Sequence, residues 1–250
     1  MGTEASVDWV PLAVPVRLRR EHPRGHASVR TASGHNRGHA TDAFRAFLPA
    51  RRVRPHQRAF DPGTFAHGFE GITGLAAILI THQHPDHVDA ARLPALLEDN
   101  PDAALYADPQ TAAQLGAPCR AVHVGDELAV GALTIRAMGG QHAVIHPEIP
   151  VVENISYLVD EGDRRARLMH PGDALFVPDE PVDVLATPAA APWMKISEAV
   201  DYLRAVAPAR AVPIHQGIIA PDARSIYYGR LTELTDTDFQ VLPEESAVTF

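Results

Sequence analysis

Residues 81–87 read Thr-His-Gln-His-Pro-Asp-His and bring three histidines and one aspartate within seven positions. Imidazole nitrogens and carboxylate oxygens are the usual protein ligands of zinc, manganese and iron. A segment so dense in these side chains predicts a metal site. The alternative interpretation is a polar surface loop that is rich in histidine.

Further metal-competent side chains occur far along the chain, each just after a predicted strand. His82 follows the continuous apolar run 75–80, and His142, Asp173 and His215 follow three later strands. Because ligand sites in α/β sheets gather at the carboxyl ends of strands, we expect these four side chains to meet at one edge. Considered singly, His142 and His215 would more often be hydrogen-bonded structural histidines.

Hydrophobic periodicity and turn residues predict the elements that position these side chains. Strands are expected at 75–80, at 127–138 as a hairpin turning at Gly131, at 154–159 and 167–169 as a second hairpin, at 182–186 and at 209–214. One helix is expected to have Asp108 as N-cap and Pro109 as its first residue, and to end at Gly116. A second, amphipathic helix is expected over 197–207.

Five separated motifs share their order and spacing with one known family. They are FDPGTF at 60–65, THQHPDH at 81–87, GGQH ending at His142, HPGD ending at Asp173 and PIH ending at His215. Over about residues 59–250 the chain resembles the metallo-β-lactamase-fold hydrolase superfamily, and within it the L-ascorbate-6-phosphate lactonase-like branch. The resemblance implies an α/β fold, namely an αββα sandwich of two facing sheets with helices outside, and a dinuclear metal site at one edge.

The resemblance also implies which residues hold each ion. The first metal ion would be held by His82, His84 and His142, the second by Asp86, His87 and His215, and both by a bridging Asp173. Two ions about 3.5–4 Å apart would hold a hydroxide between them and polarise the scissile group, with Asp86 and Asp173 as catalytic carboxylates. Since every donor is nitrogen or oxygen, we expect two divalent ions per chain, with zinc as first choice and manganese or iron as alternatives.

Several residues are candidates for roles beyond metal binding. The substrate pocket is predicted to include His146, Trp193 and Lys195. The alternative for His146 is a residue of a surface loop. The alternative for Trp193 is a core residue, and that for Lys195 is the solvated start of the following helix. His170 is a candidate for orienting a metal ligand without itself contacting the metal ion. The alternative is a solvent-facing residue in a turn. Asp61 is expected to support the metal loop, residues 81–87, through hydrogen bonds.

Residues 1–58 differ in composition from the domain predicted over 59–250. They hold 11 basic and four acidic residues, a formal charge of +7 within a chain of net charge −9. Five prolines interrupt them and no period of 2 or 3.6 is sustained, so we predict a basic, weakly structured N-terminal segment with a short helix near 41–48. The alternatives are a divergent arm, a sheet that lacks its first strands, and an altered reading frame.

The expected function is metal-dependent hydrolysis of an ester, lactone, phosphodiester or amide bond in a small molecule. The alternatives are a nucleic-acid phosphodiesterase that uses the basic segment as an exosite, and a non-catalytic or redox di-metal module. The acidic character of residues 59–250 argues against a nucleic-acid partner. The single cysteine, Cys119, and the lack of a leader or of an apolar run of about 18 residues predict a cytoplasmic protein without a membrane partner.

Overall fold

A computed structural model describes residues 8–11, 16–17 and 57–242 of the chain. The strands of this part form two β-sheets, and its helices follow individual strands along the chain. The helix predicted near 41–48 lies outside the described residues.

The first sheet contains six strands. They are β1 (Asp8–Pro11), β2 (Val16–Arg17), β3 (Gln57–Phe60), β4 (Leu75–Ile80), β5 (Ala104–Ala107) and β6 (Arg120–Ala121). Their order is β2-β1-β3-β4-β5-β6, parallel throughout except for the antiparallel pair β1 and β2. The sequence pattern predicts neither β1 nor β2. The change in composition suggests a domain boundary after residue 58, and β3 runs across that boundary.

The second sheet contains seven strands. They are β7 (Glu127–Val130), β8 (Leu133–Gln141), β9 (Glu153–Glu161), β10 (Arg164–His170), β11 (Val184–Pro188), β12 (Arg210–Ile214) and β13 (Asp238–Phe239). Strands β7 to β10 form an antiparallel meander, and β10 to β13 run parallel. Both predicted hairpins are confirmed, and Gly131 takes the positive φ of 63° that its turn requires.

Within the described residues, four α-helices accompany the sheets. They are α1 (Leu93–Glu98), α2 (Pro109–Leu115), α3 (Ile196–Val206) and α4 (Arg224–Glu233). The prediction for α2 is confirmed, because the Asp108 carboxylate accepts hydrogen bonds from the backbone N–H groups of Gln110 and Thr111. Helix α3 is also confirmed, whereas α1 and α4 were not predicted. No helix among the described residues is long and apolar enough to span a bilayer.

Three buried apolar layers hold these elements together. The central layer packs strand residues of one sheet against the other, for example Leu79 against Ile135 and its neighbours. The first sheet turns its other face, including Ile78, toward α1 and α2. The second sheet likewise buries Leu185 together with Leu203 of α3. The order of layers is therefore helix, sheet, sheet, helix, which confirms the expected αββα sandwich.

Candidate metal centre

The predicted ligands meet at one end of the sandwich, where four strands finish. His82, His142, Asp173 and His215 follow β4, β8, β10 and β12 within three residues of each strand end. Three groups have their ligand atoms within 4.8 Å of one another, namely His82/His84/His142, His82/His87/Asp173 and Asp86/His87/His215. The structure therefore brings all seven predicted ligands into one cluster.

The first group consists of three imidazoles, those of His82, His84 and His142. His82 Nε2 lies 3.0 Å from His84 Nδ1, and the His142 ring centroid lies 4.8 Å from the centroids of both other rings. His142 Nδ1 lies 2.5 Å from the Ala143 carbonyl oxygen, to which its N–H donates. This bond leaves His142 Nε2 as the ligand atom, and that buried nitrogen forms no hydrogen bond with any described residue.

The second group lies beside the first and contains Asp86, His87 and His215. His87 Nε2 and His215 Nε2 are only 2.9 Å apart, and Asp86 Oδ2 lies 3.5 Å from the same His215 nitrogen. Two imidazole nitrogens and a carboxylate oxygen converge here on one point. Such a donor set fits a divalent cation, which satisfies three converging lone pairs at once.

Asp173 spans the two groups with its two carboxylate oxygens. Oδ1 lies 2.8 Å from His215 Nε2 and 3.2 Å from His87 Nε2. Oδ2 lies 3.3 Å from His142 Nε2 in the first group. Trp193 Nε1 donates a hydrogen bond to Oδ2 at 2.8 Å, which limits rotation of the carboxylate. This is the geometry that a bridging ligand requires.

The protonation states of His82 and Asp173 suit a cation, whereas that of His87 must change. Burial, together with the charge of nearby His87, lowers the pKa of His82 well below its usual value, so its ring is neutral. Burial alone would raise the pKa of Asp173, but His87 holds it well below its usual range. Burial opposes the charged form of His87, yet Asp173 and Asp61 raise its pKa well above the usual value. His87 must therefore release a proton when its Nε2 binds a metal ion.

Asp61 holds the metal loop in place through hydrogen bonds, as the sequence predicts. Its Oδ1 accepts a hydrogen bond from the Thr81 backbone N–H at 2.7 Å, and its Oδ2 accepts one from the Thr81 hydroxyl at 2.8 Å. The same Oδ2 lies 2.7 Å from His87 Nδ1. Asp61 thereby orients His87 so that Nε2 faces the second group.

His170 is buried, which excludes the interpretation of a solvent-facing turn residue. Its ring stacks on Phe60 with centroids 5.2 Å apart, and its Nδ1 accepts a hydrogen bond from the Gly172 backbone N–H at 3.3 Å. Burial lowers its pKa to about 4. His170 therefore acts as a neutral support for the turn that leads to Asp173.

Two supports of the centre were not predicted. Asn154, at the start of β9, accepts a hydrogen bond from the Asp173 backbone N–H at 3.0 Å and donates one to the Pro171 carbonyl at 2.9 Å. Gly63 packs so closely that a Cβ there would lie 1.7 Å from the Asp86 carbonyl oxygen. No pattern in the sequence singles out Asn154, because β9 also contains Glu153, Ser156 and Asp160.

A cavity of about 210 Å³ opens beside the second group. Asp86, His87 and His215 form part of its wall. His146, Trp193 and Lys195, which were expected to contact substrate, do not line this cavity.

The structure shows where those three side chains lie instead. Trp193 lies near the first group, where it bonds to Asp173 and its ring centroid is 5.8 Å from that of His142. His146 is exposed in a turn, with its Nδ1 accepting from the Glu148 N–H. Lys195 is exposed at the start of α3. His146 therefore lies in a turn and Lys195 at the start of a helix, and contact of these residues and Trp193 with a substrate stays a prediction.

Known proteins resemble this chain in sequence. The profile of the beta-lactamase superfamily domain matches residues 25–215, a range that begins before the boundary expected at residue 59. Protein Rv0786c of Mycobacterium tuberculosis is 84% identical over 191 residues, which cover 76% of this chain and 90% of that protein. UPF0173 protein PF0020 of Pyrococcus furiosus is 30% identical over 151 residues, or 56% of this chain and 66% of that protein.

Solved structures share the fold. A protein of Parabacteroides distasonis assigned as a metal-dependent hydrolase has a TM-score of 0.58 and 21% identity, covering 74% of this chain and 83% of its own. Igni18, a metallo hydrolase of Ignicoccus hospitalis, has a TM-score of 0.53 and 18% identity, covering 68% of this chain and 78% of its own. From the matched range, the sandwich and the cluster of seven His and Asp side chains together, the chain belongs to the beta-lactamase superfamily and has the metallo-β-lactamase fold.

Proposed function

We propose that this protein is a metal-dependent hydrolase with a dinuclear centre, which cleaves an ester, lactone, phosphodiester or amide bond. The observation that carries the proposal is the orientation of Asp173, whose two oxygens face the two groups of ligands separately. A carboxylate that bound a single ion would need metal-binding imidazoles on one side only.

Two divalent ions in such a site supply an acidified water and polarise the scissile group. Zinc is our first choice because imidazole and carboxylate suit it, and the same donors suit manganese and iron. The first ion would be held by His82, His84 and His142, the second by Asp86, His87 and His215, and both by Asp173.

The carboxylates have different tasks in this proposal. Asp173 would remain ionised in the loaded centre, because the cations would favour its charged form once His87 has lost its proton, and it orients the donors on both sides. Asp86 lines the cavity, where a substrate would lie, so it is placed to accept a proton from the attacking water. Asp61 keeps His87 in place and does not contact the reacting atoms.

The substrate that we propose is a small molecule. The second group of ligands lies beside a cavity of about 210 Å³, a concave site of the kind that takes small molecules. A net charge of −9 also repels polyanions such as nucleic acids. The single cysteine is consistent with a reducing, cytoplasmic location.

Elemental analysis of the full chain, purified without chelators, tests the proposal together with an activity screen. We expect about two ions per chain and turnover of at least one class among esters, lactones, phosphodiesters and amides. A metal content near zero after reconstitution with zinc, manganese and iron would contradict it. Bound iron with visible colour and no turnover would instead favour the redox module.

A further inference from the structure

Trp193 contacts the metal centre at two points, although it is not one of the proposed ligands. Its Nε1 donates a hydrogen bond to Asp173 Oδ2 at 2.8 Å. Its ring meets the His142 ring in a T-shaped arrangement, with centroids 5.8 Å apart and planes at 71°. Asp173 and His142 are both proposed to hold the first ion. One side chain therefore contacts two ligands of the same ion.

The fold places Trp193 at the sheet edge where the ligands lie. Asp173 follows β10 and His215 follows β12, while β11, the strand between them in the sheet, is followed by no proposed ligand. Trp193 comes after β11 in a tight turn, in which the Met194 N–H donates to the Ala191 carbonyl at 3.1 Å. Strand β11 therefore contributes a hydrogen-bond donor to the centre where its neighbours contribute ligands.

The two oxygens of Asp173 differ in their neighbours. Oδ1 faces the Nε2 atoms of His215 and His87, at 2.8 and 3.2 Å. Oδ2 faces His142 Nε2 at 3.3 Å and also accepts the Trp193 N–H. An indole N–H is a donor only and has no lone pair to offer a cation. It therefore occupies one lone pair of Oδ2 and leaves the other for the first group.

This hydrogen bond is of the strong kind. Its acceptor is a carboxylate, and hydrogen bonds to ionised groups are about twice as strong as those between neutral groups. Asp173 is only 3% exposed, so little water competes for Oδ2. Groups that hydrogen-bond a metal ligand commonly change metal affinity by about 10–100-fold when they are removed. The Trp193 N–H is therefore in a position to affect how tightly an ion is held.

The second group of ligands has a different support. Asp61 Oδ2 lies 2.7 Å from His87 Nδ1, on the side of the ring away from the converging nitrogens. Trp193 forms no hydrogen bond and no ring contact with the second group in the part of the chain that the structure describes. Asp61 and Trp193 therefore support different groups of ligands.

We propose that Trp193 is a positioning residue whose N–H keeps Asp173 Oδ2 directed at the first group, and that it thereby sets the affinity of the centre for the first ion. This inference rests on the proposed function, because it takes Asp173 as the bridge between two ions. The role differs from the contact with substrate that the sequence predicts for Trp193, since it acts through a ligand.

Trp193→Phe removes the N–H and keeps an aromatic ring beside His142. Competition of the zinc-loaded full chain with chelators of graded affinity measures how tightly each ion is held. We expect one zinc affinity to fall by about 10-fold or more and the other to change by less than about threefold. In the His82→Ala background, which lacks a ligand of the first ion, Trp193→Phe should change the remaining zinc affinity by less than about threefold.

Met194→Ala is the matched control, because Met194 lies in the same turn and packs against the apolar layer that contains α3. It should lower the melting temperature and leave both zinc affinities within about twofold of those of the wild-type chain. Trp193→Leu lacks both the N–H and the aromatic edge, so it should lose at least as much affinity as Trp193→Phe. Circular dichroism is measured for every variant.

Tryptophan emission tests the contact in the wild-type chain without any change of sequence. The chain has two tryptophans, Trp9 and Trp193. An ion that binds Asp173 offsets the negative charge beside the Trp193 N–H, so removal of the first zinc ion by a chelator should change the emission. Trp193→Phe should lose most of this change. An emission that does not respond to zinc in the wild-type chain would count against the inference.

Unchanged zinc affinities in Trp193→Phe would overturn the inference and leave the proposed function standing. An equal weakening of both ions, or a loss of the same size in Met194→Ala, would overturn it as well, since either result shows a general loosening of the turn. Two bound ions without turnover would contradict hydrolysis alone, and the zinc affinities would still decide the role of Trp193. A wild-type chain that binds no metal ion would contradict both.

Discussion

Asp173 is the residue on which the proposed dinuclear arrangement depends most. Its Oδ1 and Oδ2 face opposite groups of imidazoles, and three contacts fix that orientation. Trp193 donates to Oδ2, Asn154 accepts from the Asp173 backbone N–H, and the Asp173 carbonyl accepts from the Ala143 N–H at 2.8 Å. A carboxylate held in this way can screen two cations from each other without a change of shape.

Replacing Asp173 with Ala should therefore separate the two ions. We expect the variant to keep the fold and about one ion, held by His82, His84 and His142, because three imidazoles suffice for one zinc. Hydrolysis should fall by roughly 10²-fold or more. Metal content, circular dichroism and turnover are compared with those of His82→Ala, which should weaken the first site. Two ions and full activity in Asp173→Ala would show that Asp173 is not the bridge.

His170 makes a pH-dependent contribution to stability. Its pKa of about 4 in the folded chain lies below the value of 6.5 for a free histidine, so the unfolded chain takes up the proton first. Its contribution is therefore complete above pH 6.5 and is lost as the pH falls toward 4, by about 3 kcal/mol at most.

His170→Phe keeps the ring that stacks on Phe60 but cannot titrate. Urea unfolding with a chelator present should show a smaller loss of stability between pH 6.5 and 4 than in the wild-type chain. The chelator removes the separate pH dependence of metal release. If both proteins lost stability equally over that range, His170 would not be neutral in the folded state.

At the scale of elements, helix α2 is capped at its N-terminus and contacts the metal loop near its C-terminus. Asp108 caps the helix, and Gln114 near its end donates a hydrogen bond to Gln83, between two metal ligands. The backbone N–H of Gln110 also donates to Glu153 at the start of β9, at 3.1 Å. The helix therefore contacts the metal loop and the start of β9, next to Val152, whose carbonyl accepts a hydrogen bond from the His142 N–H at 3.0 Å.

Asp108→Ala should lower the free energy of unfolding by about 1 kcal/mol, because two backbone N–H groups lose their acceptor. Asp108→Asn is the matched control, since its side-chain oxygen can still accept both bonds. Urea unfolding measures the difference between the two variants. The cap would be ruled out as the cause if Asn destabilised the chain as much as Ala.

At the scale of the whole molecule, the metal centre depends on how the two sheets meet. Tyr157 of β9 donates a hydrogen bond from its buried hydroxyl to the Ile80 carbonyl at 2.9 Å. The Ile155 N–H donates to the Thr81 carbonyl at 2.9 Å, directly before His82. The second sheet thus fixes the position at which the first sheet presents its ligands.

Tyr157→Phe should cost about 1–3 kcal/mol of stability, because the Ile80 carbonyl loses a buried donor. Thr235→Val removes another side-chain bond to a backbone carbonyl, that of Leu231 at 2.7 Å, at the end of α4 and far along the chain from every proposed ligand. Thermal unfolding should show similar losses for the two variants, about 2–4 °C per kcal/mol. A competition assay with a chelator should show weaker metal binding in Tyr157→Phe alone, and equal metal affinities would contradict this link between sheets.

The sequence by itself determined the ligand types, their order and several elements. Local rules suffice for these features, since an apolar run, a capping aspartate or the spacing of His82 and His84 is readable within a few positions. The same local rules missed several elements that are short or have weak apolar periodicity, namely β1, β2, β3, β5, β6, β13, α1 and α4.

Only the tertiary structure decided which atoms converge. His87 and His215 are 128 positions apart, yet their Nε2 atoms lie 2.9 Å from each other, because packing of the two sheets brings the ends of β4 and β12 together. The cavity beside the second group, and the exposed position of Lys195, follow from the same packing. No local pattern encodes such contacts, since they depend on how side chains from distant segments fill a common space.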